Sequence, residues 1–200
     1  NIAGMARFDI NPKGTLGVSV PVLRALAKEI GADHALAQKL WRSGIHEARI
    51  LASFVDDPDL VTNRQMEQWV KGFDSWDVCD GVCSNLFDKT KFAWRKATAW
   101  PHRKEEFVRR AGFVLMAALA VHDKHAPHRA FEKFFPLIKR YATDERNFVK
   151  KAVNWALRQI GKRNAGLRTR AIRVAREIKR VDSPAARWIA RDALRELKRS

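Results

Sequence analysis

The chain has 200 residues, 46% of them hydrophobic, which suits one domain or one repeat array with a sizeable core. Its formal net charge is +17, and the imbalance is one-sided: residues 1–100 carry 13 Lys/Arg against 12 Asp/Glu, whereas residues 101–200 carry 26 against 10. A basic folded half points to a polyanion, nucleic acid before an acidic membrane surface or an acidic protein, and two cysteines exclude a disulfide framework and a structural zinc site.

Hydrophobic periodicity predicts helix after helix and no strand. The chain opens at Asn1 with Met5 inside it and no signal peptide, so the native start is expected to lie upstream. Asp33 is placed to cap a helix running to Arg42, and Ile45 to Val55 follows. Asp56-Asp57-Pro58 breaks the pattern before a helix from Leu60 to Val70. Asp74 or Ser75 caps the next helix, which bears Trp76 and Asp80. Lys89 to Trp100 ends at Pro101. Lys104 to Val121 holds the longest apolar run, Ala111 and then Phe113 to Val121 around Gly112. That run is short of the roughly 18 residues of a membrane span and suits a central buried helix. His125 to His128 is a turn with Pro127. Phe131 to Tyr141, Glu145 to Ile160, Leu167 to Val181 and Ala185 to Lys198 complete the array, with Ser183 as a cap before Pro184.

Asp80 sits where an acid is least expected. At 3.6 residues per turn, Trp76, Cys79, Asp80, Cys83 and Phe87 share one side of a helix that is otherwise apolar there. A carboxylate in such a place needs a cation, a polar network or water. Arg109-Arg110 and Lys150-Lys151 offer cations on later helices. Asp80 is then either a structural acid that bridges Arg110 or caps a neighbour, or the centre of a site. Cys79 and Cys83 read as reduced, buried thiols of a cytosolic protein.

The second half repeats. Phe107-Val108-Arg109-Arg110-Ala111 recurs as Phe148-Val149-Lys150-Lys151-Ala152, and Ala156-Leu157-Arg158 recurs as Ala193-Leu194-Arg195. A period of roughly 40 residues built from two helices is the signature of HEAT-like solenoids, in which helix pairs stack on their neighbours. The expected fold is therefore all-α, a right-handed curved solenoid of antiparallel helix pairs with a concave basic groove, forming one domain over residues 1–200. Equivalent positions face the same surface, so Arg110 with Lys151 and Arg158 with Arg195 are expected to form a stripe. Lys151, Trp155 and Arg158 share one helix face, a combination that suits a phosphate backbone and the sugar or base beside it.

Several stretches, in order and over roughly Met5 to Leu197, resemble the HEAT-repeat DNA alkylation repair glycosylases of the AlkD type. Met5-Ala6-Arg7-Phe8 is similar to the family's Met-Ala-Arg-Tyr helix. Gly17-Val18-Ser19-Val20-Pro21 with Arg24 resembles its Gly-x-x-x-Pro-x-x-Arg. Ser75-Trp76-Asp77-Val78-Cys79-Asp80 resembles its Trp-Asp-x-x-Asp, and Arg109-Arg110-Ala111 and Lys151-Ala152-Val153-Asn154-Trp155 with Leu157-Arg158 resemble its later helices. The resemblance implies excision of N3- or N7-alkylated purines by hydrolysis of the N-glycosidic bond. It implies Asp80 as the catalytic carboxylate, Arg110 as the cation beside it, and Trp76 and Trp155 as the aromatics flanking the reacting nucleotide. Phe8 falls where the family often has Tyr and lacks that hydroxyl. Phe8, Arg109, Lys150, Lys151, Arg158, Lys162, Arg163, Trp188, Arg191 and Arg195 are the expected DNA contacts. The expected partner is double-stranded DNA carrying alkylated bases, met by a cytoplasmic monomer with no cofactor, metal or membrane.

Plainer readings stand beside these. Trp76 and Trp155 are of the kind that fills cores, as Trp41, Trp69, Trp94, Trp100 and Trp188 are mostly expected to do. Arg168, Arg170, Arg173, Arg176, Lys179 and Arg180 run round much of one helix, so only some can face DNA. His122, His125 and His128 straddle a turn and read as a loop cluster without metal. His46-Glu47 lacks the second histidine of a zinc protease motif. A non-catalytic HEAT-like module that binds DNA or RNA is the alternative function, and a scaffold for acidic protein segments is a weaker third. A carboxylate in a basic groove repels phosphate, so a pure binding module has no need of Asp80.

Overall fold

The structure is a computed structural model that describes residue 10 and residues 14–199. Among the described residues every regular element is helical: α1 Val20–Ile30, α2 His34–Arg42, α3 His46–Val55, α4 Asn63–Lys71, α5 Trp76–Asn85, α6 Ala93–Ala99, α7 Glu106–His122, α8 His128–Glu132, α9 Phe135–Tyr141, α10 Asn147–Lys162, α11 Ala165–Lys179 and α12 Pro184–Leu197. Single 3-10 turns lie at Phe87–Lys89 and Trp100–His102. None of these helices is long and apolar enough to cross a membrane.

Short polar side chains set where several helices start. Asp33, Thr62, Asn164 and Ser183 each accept a hydrogen bond from the backbone N–H three residues on, which satisfies a donor the first helical turn leaves open. Thr62 explains why α4 begins at Asn63 rather than at Leu60. Two predicted helices are divided. Lys89 to Trp100 is interrupted where the Thr90 hydroxyl donates to the Phe87 carbonyl at 2.8 Å, and it re-forms as α6. Phe131 to Tyr141 divides into α8 and α9 because Pro136 lacks an N–H and its ring crowds the carbonyl of Glu132, the last residue of α8. Helix α1 has no counterpart among the predicted elements. Its apolar residues share one face, with Val20, Leu23, Ala27 and Ile30 spaced i, i+3, i+7, i+10, yet only Leu23 is buried, while Val20, Val22 and Leu26 are exposed.

The chain divides into two compact units, Asn1–Phe92 and Ala93–Ser200. In the first, α1 packs on α3 and α3 on α5, so alternate helices lie side by side. Trp41 of α2 stacks on Trp69 of α4 at 4.3 Å, which makes a second row behind the first. In the second unit α7, α10 and α12 form one row and α9 and α11 another, with α11 packed on both α10 and α12. This is the stacking of helix pairs that the repeat requires. The repeat register is visible in single contacts. The Phe107 and Phe148 rings, equivalent in successive repeats, lie 5.4 Å apart. Asn154 donates to Asp192 and Ser183 donates to Glu145, each across 38 residues of sequence. Helix α7 is the most deeply buried helix of this unit, with every residue from Arg110 to Ala120 buried. Gly112 lets the chain pass against Pro101, whose ring would overlap an added Cβ.

Candidate functional site

In the first unit, α5 presents Trp76 and Asp80 one turn apart, both half-buried, while Cys79 and Cys83 beneath them are fully buried. Asp80 is thus at the boundary between core and solvent, not within the core. Burial pushes the Cys83 thiol well above its ordinary range, and the neighbouring Cys79, Asp80 and Asp88 push it the same way, so it stays protonated.

The start of α5 is fixed by Ser75, an expected cap, together with His46 and Asp77, whose pairing the sequence does not suggest. Ser75 stands at the N-cap but makes no capping bond; its hydroxyl donates to Asp77 Oδ1 at 2.5 Å. His46 Nε2, at the start of α3, donates to Asp77 Oδ2 at 2.7 Å. Burial alone would lower the His46 pKa, but its hydrogen bond to Asp77 and that carboxylate's charge raise it instead. Burial alone would raise Asp77, and the bonds from His46 and Ser75 hold it below the usual carboxylate range. Glu47, buried, accepts from the backbone N–H groups of Leu16 and Gly17 at 2.8 and 2.7 Å. His46-Glu47 is thus a pair of structural anchors, one holding the helix that carries Trp76 and Asp80.

In the second unit, α10 and α12 lie side by side and their outer residues join into one surface. Trp155 is half-buried, Lys151 is exposed, and Lys150 lies over the ring of the 38% exposed Trp188 at 5.4 Å. Acids run through this surface. Asp192 takes Arg158 Nη1 at 2.9 Å and Asn154 Nδ2 at 2.7 Å, and it also pairs with Arg195. Burial alone would raise Asp192, but the bonds from Asn154 and Arg158 outweigh it and lower its pKa. Glu196 takes Arg158 Nε at 2.8 Å and pairs with Lys162. Lys151 and Arg191 are exposed and have no acid partner among the described residues.

The remaining expected contacts sit deeper. Arg109 donates to Asp144 at 2.7 Å and to the Pro101 carbonyl at 2.9 Å, with its guanidinium over Tyr141. Arg163 donates to the carbonyls of Ala120 and Ala126 at 3.0 and 3.1 Å. Both therefore commit their donors to the protein. Arg110 is buried and gives Nη1 to the Phe148 carbonyl at 2.5 Å. Its repeat partner Lys151 is exposed, so equivalent positions share a row and differ in depth. Phe8 lies outside the described residues. No group of three His, Cys, Asp or Glu side chains among the described residues is arranged to hold a metal.

A solved structure described as "a new family of proteins related to the HEAT-like repeat DNA glycosylases with affinity for branched DNA structures" superposes with a TM-score of 0.80 at 19% identity, over 98% of this chain and 89% of that one. The fold is thus the HEAT-like helical fold of that protein. No curated protein matches the sequence. The model of the family described as DNA alkylation repair enzyme matches residues 1–197. With a match over nearly its whole length, the chain belongs to the DNA alkylation repair enzyme family.

Proposed function

We propose that the protein is a monofunctional alkylpurine DNA glycosylase, hydrolysing the N-glycosidic bond of N3- or N7-alkylated purines in duplex DNA. The observation that carries this reading is the pairing of Trp76 and Asp80 on one half-exposed turn of α5, in a member of this family whose other half is strongly basic. An N3- or N7-alkylated purine is cationic, so the base leaves as a neutral molecule with the electrons of the glycosidic bond and needs little acid help. Positive charge then grows on the sugar. The Asp80 carboxylate stabilises that charge and orients a water whose oxygen bonds to C1′ as one of its protons passes to the carboxylate and on to solvent. The face of Trp76, one turn from Asp80, contributes cation–π stabilisation of about 0.5–2 kcal/mol. Lys151, Arg191 and the Lys150–Trp188 pair take the phosphate backbone, and Arg158, Lys162 and Arg195 contribute less because Asp192 and Glu196 already neutralise them.

The test is incubation with duplex carrying N7-methylguanine or N3-methyladenine and detection of free base by chromatography. Released base supports the reading, and its absence from both duplexes sinks it. One observation favours a second reading. The structural relative belongs to a family described by affinity for branched DNA rather than by base release. A non-catalytic DNA-binding role predicts tight binding, no free base, and no effect of Asp80→Asn on any reaction.

A further inference from the structure

We propose that the outward face of α11 is a second docking surface for the sugar–phosphate backbone of duplex DNA, separate from the surface of α10 and α12. The proposal rests on the DNA-binding reading above. In the second unit the helices form two rows, with α7, α10 and α12 in one and α9 and α11 in the other. The buried residues of α11, Leu167, Ala171, Val174, Ala175 and Ile178, lie on the side packed against its neighbours. Its opposite side carries Arg173 and Arg176 and continues into the C-cap residue Arg180, spaced i, i+3, i+7 and all exposed. These three have no acid partner among the described residues. The acids nearby, Glu132 and Glu177, line one groove beside Arg173 and are engaged there by other cations, Glu132 by Arg170 at 3.6 Å and Glu177 by Lys139 at 3.0 Å. The surface of α10 and α12 is mixed, because Arg158, Lys162 and Arg195 share Asp192 and Glu196 while Lys151 and Arg191 have no acid partner among the described residues. Unneutralised cations of this unit therefore lie outside the surface expected to hold the substrate as well as on it.

The geometry fits a phosphate backbone. Seven residues of helix rise about 10 Å. Over that length a duplex presents about three phosphates per strand. Packed helix rows are 8–10 Å apart between axes, and side chains extend both faces further. A straight duplex seated on α10 and α12 cannot also reach Arg173, Arg176 and Arg180, so their occupant is a second segment.

A bridging assay tests this. Protein is loaded on an immobilised 30-base-pair duplex, washed, and offered a second, fluorescent duplex. Sedimentation of the free mixture measures duplexes per protein. Wild type is expected to capture the fluorescent duplex at two duplexes per protein. The triple variant Arg173→Glu, Arg176→Glu, Arg180→Glu is expected to bind the first duplex within about threefold of wild type and to lose capture by more than about tenfold. The three positions are exposed, and an unchanged thermal melt confirms folding. If wild type does not bind the first duplex, the DNA-binding reading fails and this proposal with it. If wild type binds the first duplex but captures none, or the triple variant captures undiminished, only this proposal is overturned. It is also overturned if the variant keeps capture but loses binding to phosphatidylserine vesicles, which would assign the stripe to a membrane surface.

Discussion

Asp77→Asn tests how α5 is held. The exchange preserves side-chain volume and removes the charge that His46 Nε2 meets at 2.7 Å. The His46 side chain is 4% exposed and that of Asp77 19%, so solvent cannot fully replace the lost partner. A hydrogen bond to a charged group is worth about 1.5–3 kcal/mol, and breaking a more deeply buried pair costs up to about 5. We expect about 2 kcal/mol, because Asp77 is not fully enclosed, and a fall in melting temperature of roughly 4–8 °C for a chain of this length. The loss has a pH signature. His46 is raised above its ordinary 6.5, so its contribution is complete below that value and is lost as pH rises through the higher folded value. Asp77 is lowered below its ordinary 3.8, so its contribution is complete above that value and is lost as pH falls through the lower folded one. The wild-type advantage is therefore greatest between 3.8 and 6.5 and smaller at pH 8.5, where neutral His46 still donates one hydrogen bond. Thermal melts of both proteins from pH 4.5 to 8.5 measure it. A melting difference that stays constant across that range would refute the charged pair, and no difference at any pH would refute the anchor itself.

Other outcomes follow from the same contacts. Lys151→Ala should make the log–log salt slope of DNA binding shallower by about 0.9, one phosphate's share, whereas Arg158→Ala should change it by less; equal shifts would contradict the shielding by Asp192 and Glu196. Trp155→Ala should lower duplex affinity, since it removes half-exposed contact surface beside Lys151, and an unchanged affinity would exclude this ring from the DNA-binding surface. Gly112→Ala should destabilise the second unit by about 1–3 kcal/mol in chemical denaturation, because the new methyl meets the Pro101 ring.

Much of this architecture is legible in the sequence. Caps such as Asp33 and Ser183, and the single-period recurrence of Phe107 as Phe148, are local signals that survive folding unchanged. Helix α1 is legible as an element, because Val20, Leu23, Ala27 and Ile30 recur at helical spacing around Pro21 in its first turn, but its shallow burial, with only Leu23 enclosed, is not. The spacing places Asp80 and Trp76 on one face, yet it cannot say that this face lies at the edge of the core. Asp192 and Glu196 leave a trace that could have been read. Stacked repeats bring residues one period apart together, and Asn154 meets Asp192 across 38 residues, so an acid on the next helix opposite Arg158 is predictable from register. His46 and Asp77 leave no such trace, since their 31-residue separation matches neither copy of the repeat.

The most direct measurement is base release by Asp80→Asn on duplex carrying N7-methylguanine, with wild type alongside and folding checked by melting. The amide nearly matches the carboxylate in shape but removes the charge that stabilises the sugar cation. It also removes a repulsion toward phosphate. The account predicts at least about a hundredfold loss in rate, the scale of removing one electrostatic stabiliser, with duplex affinity equal to or tighter than wild type. A folded Asp80→Asn protein that releases the base at the wild-type rate would contradict it and leave Asp80 a structural acid.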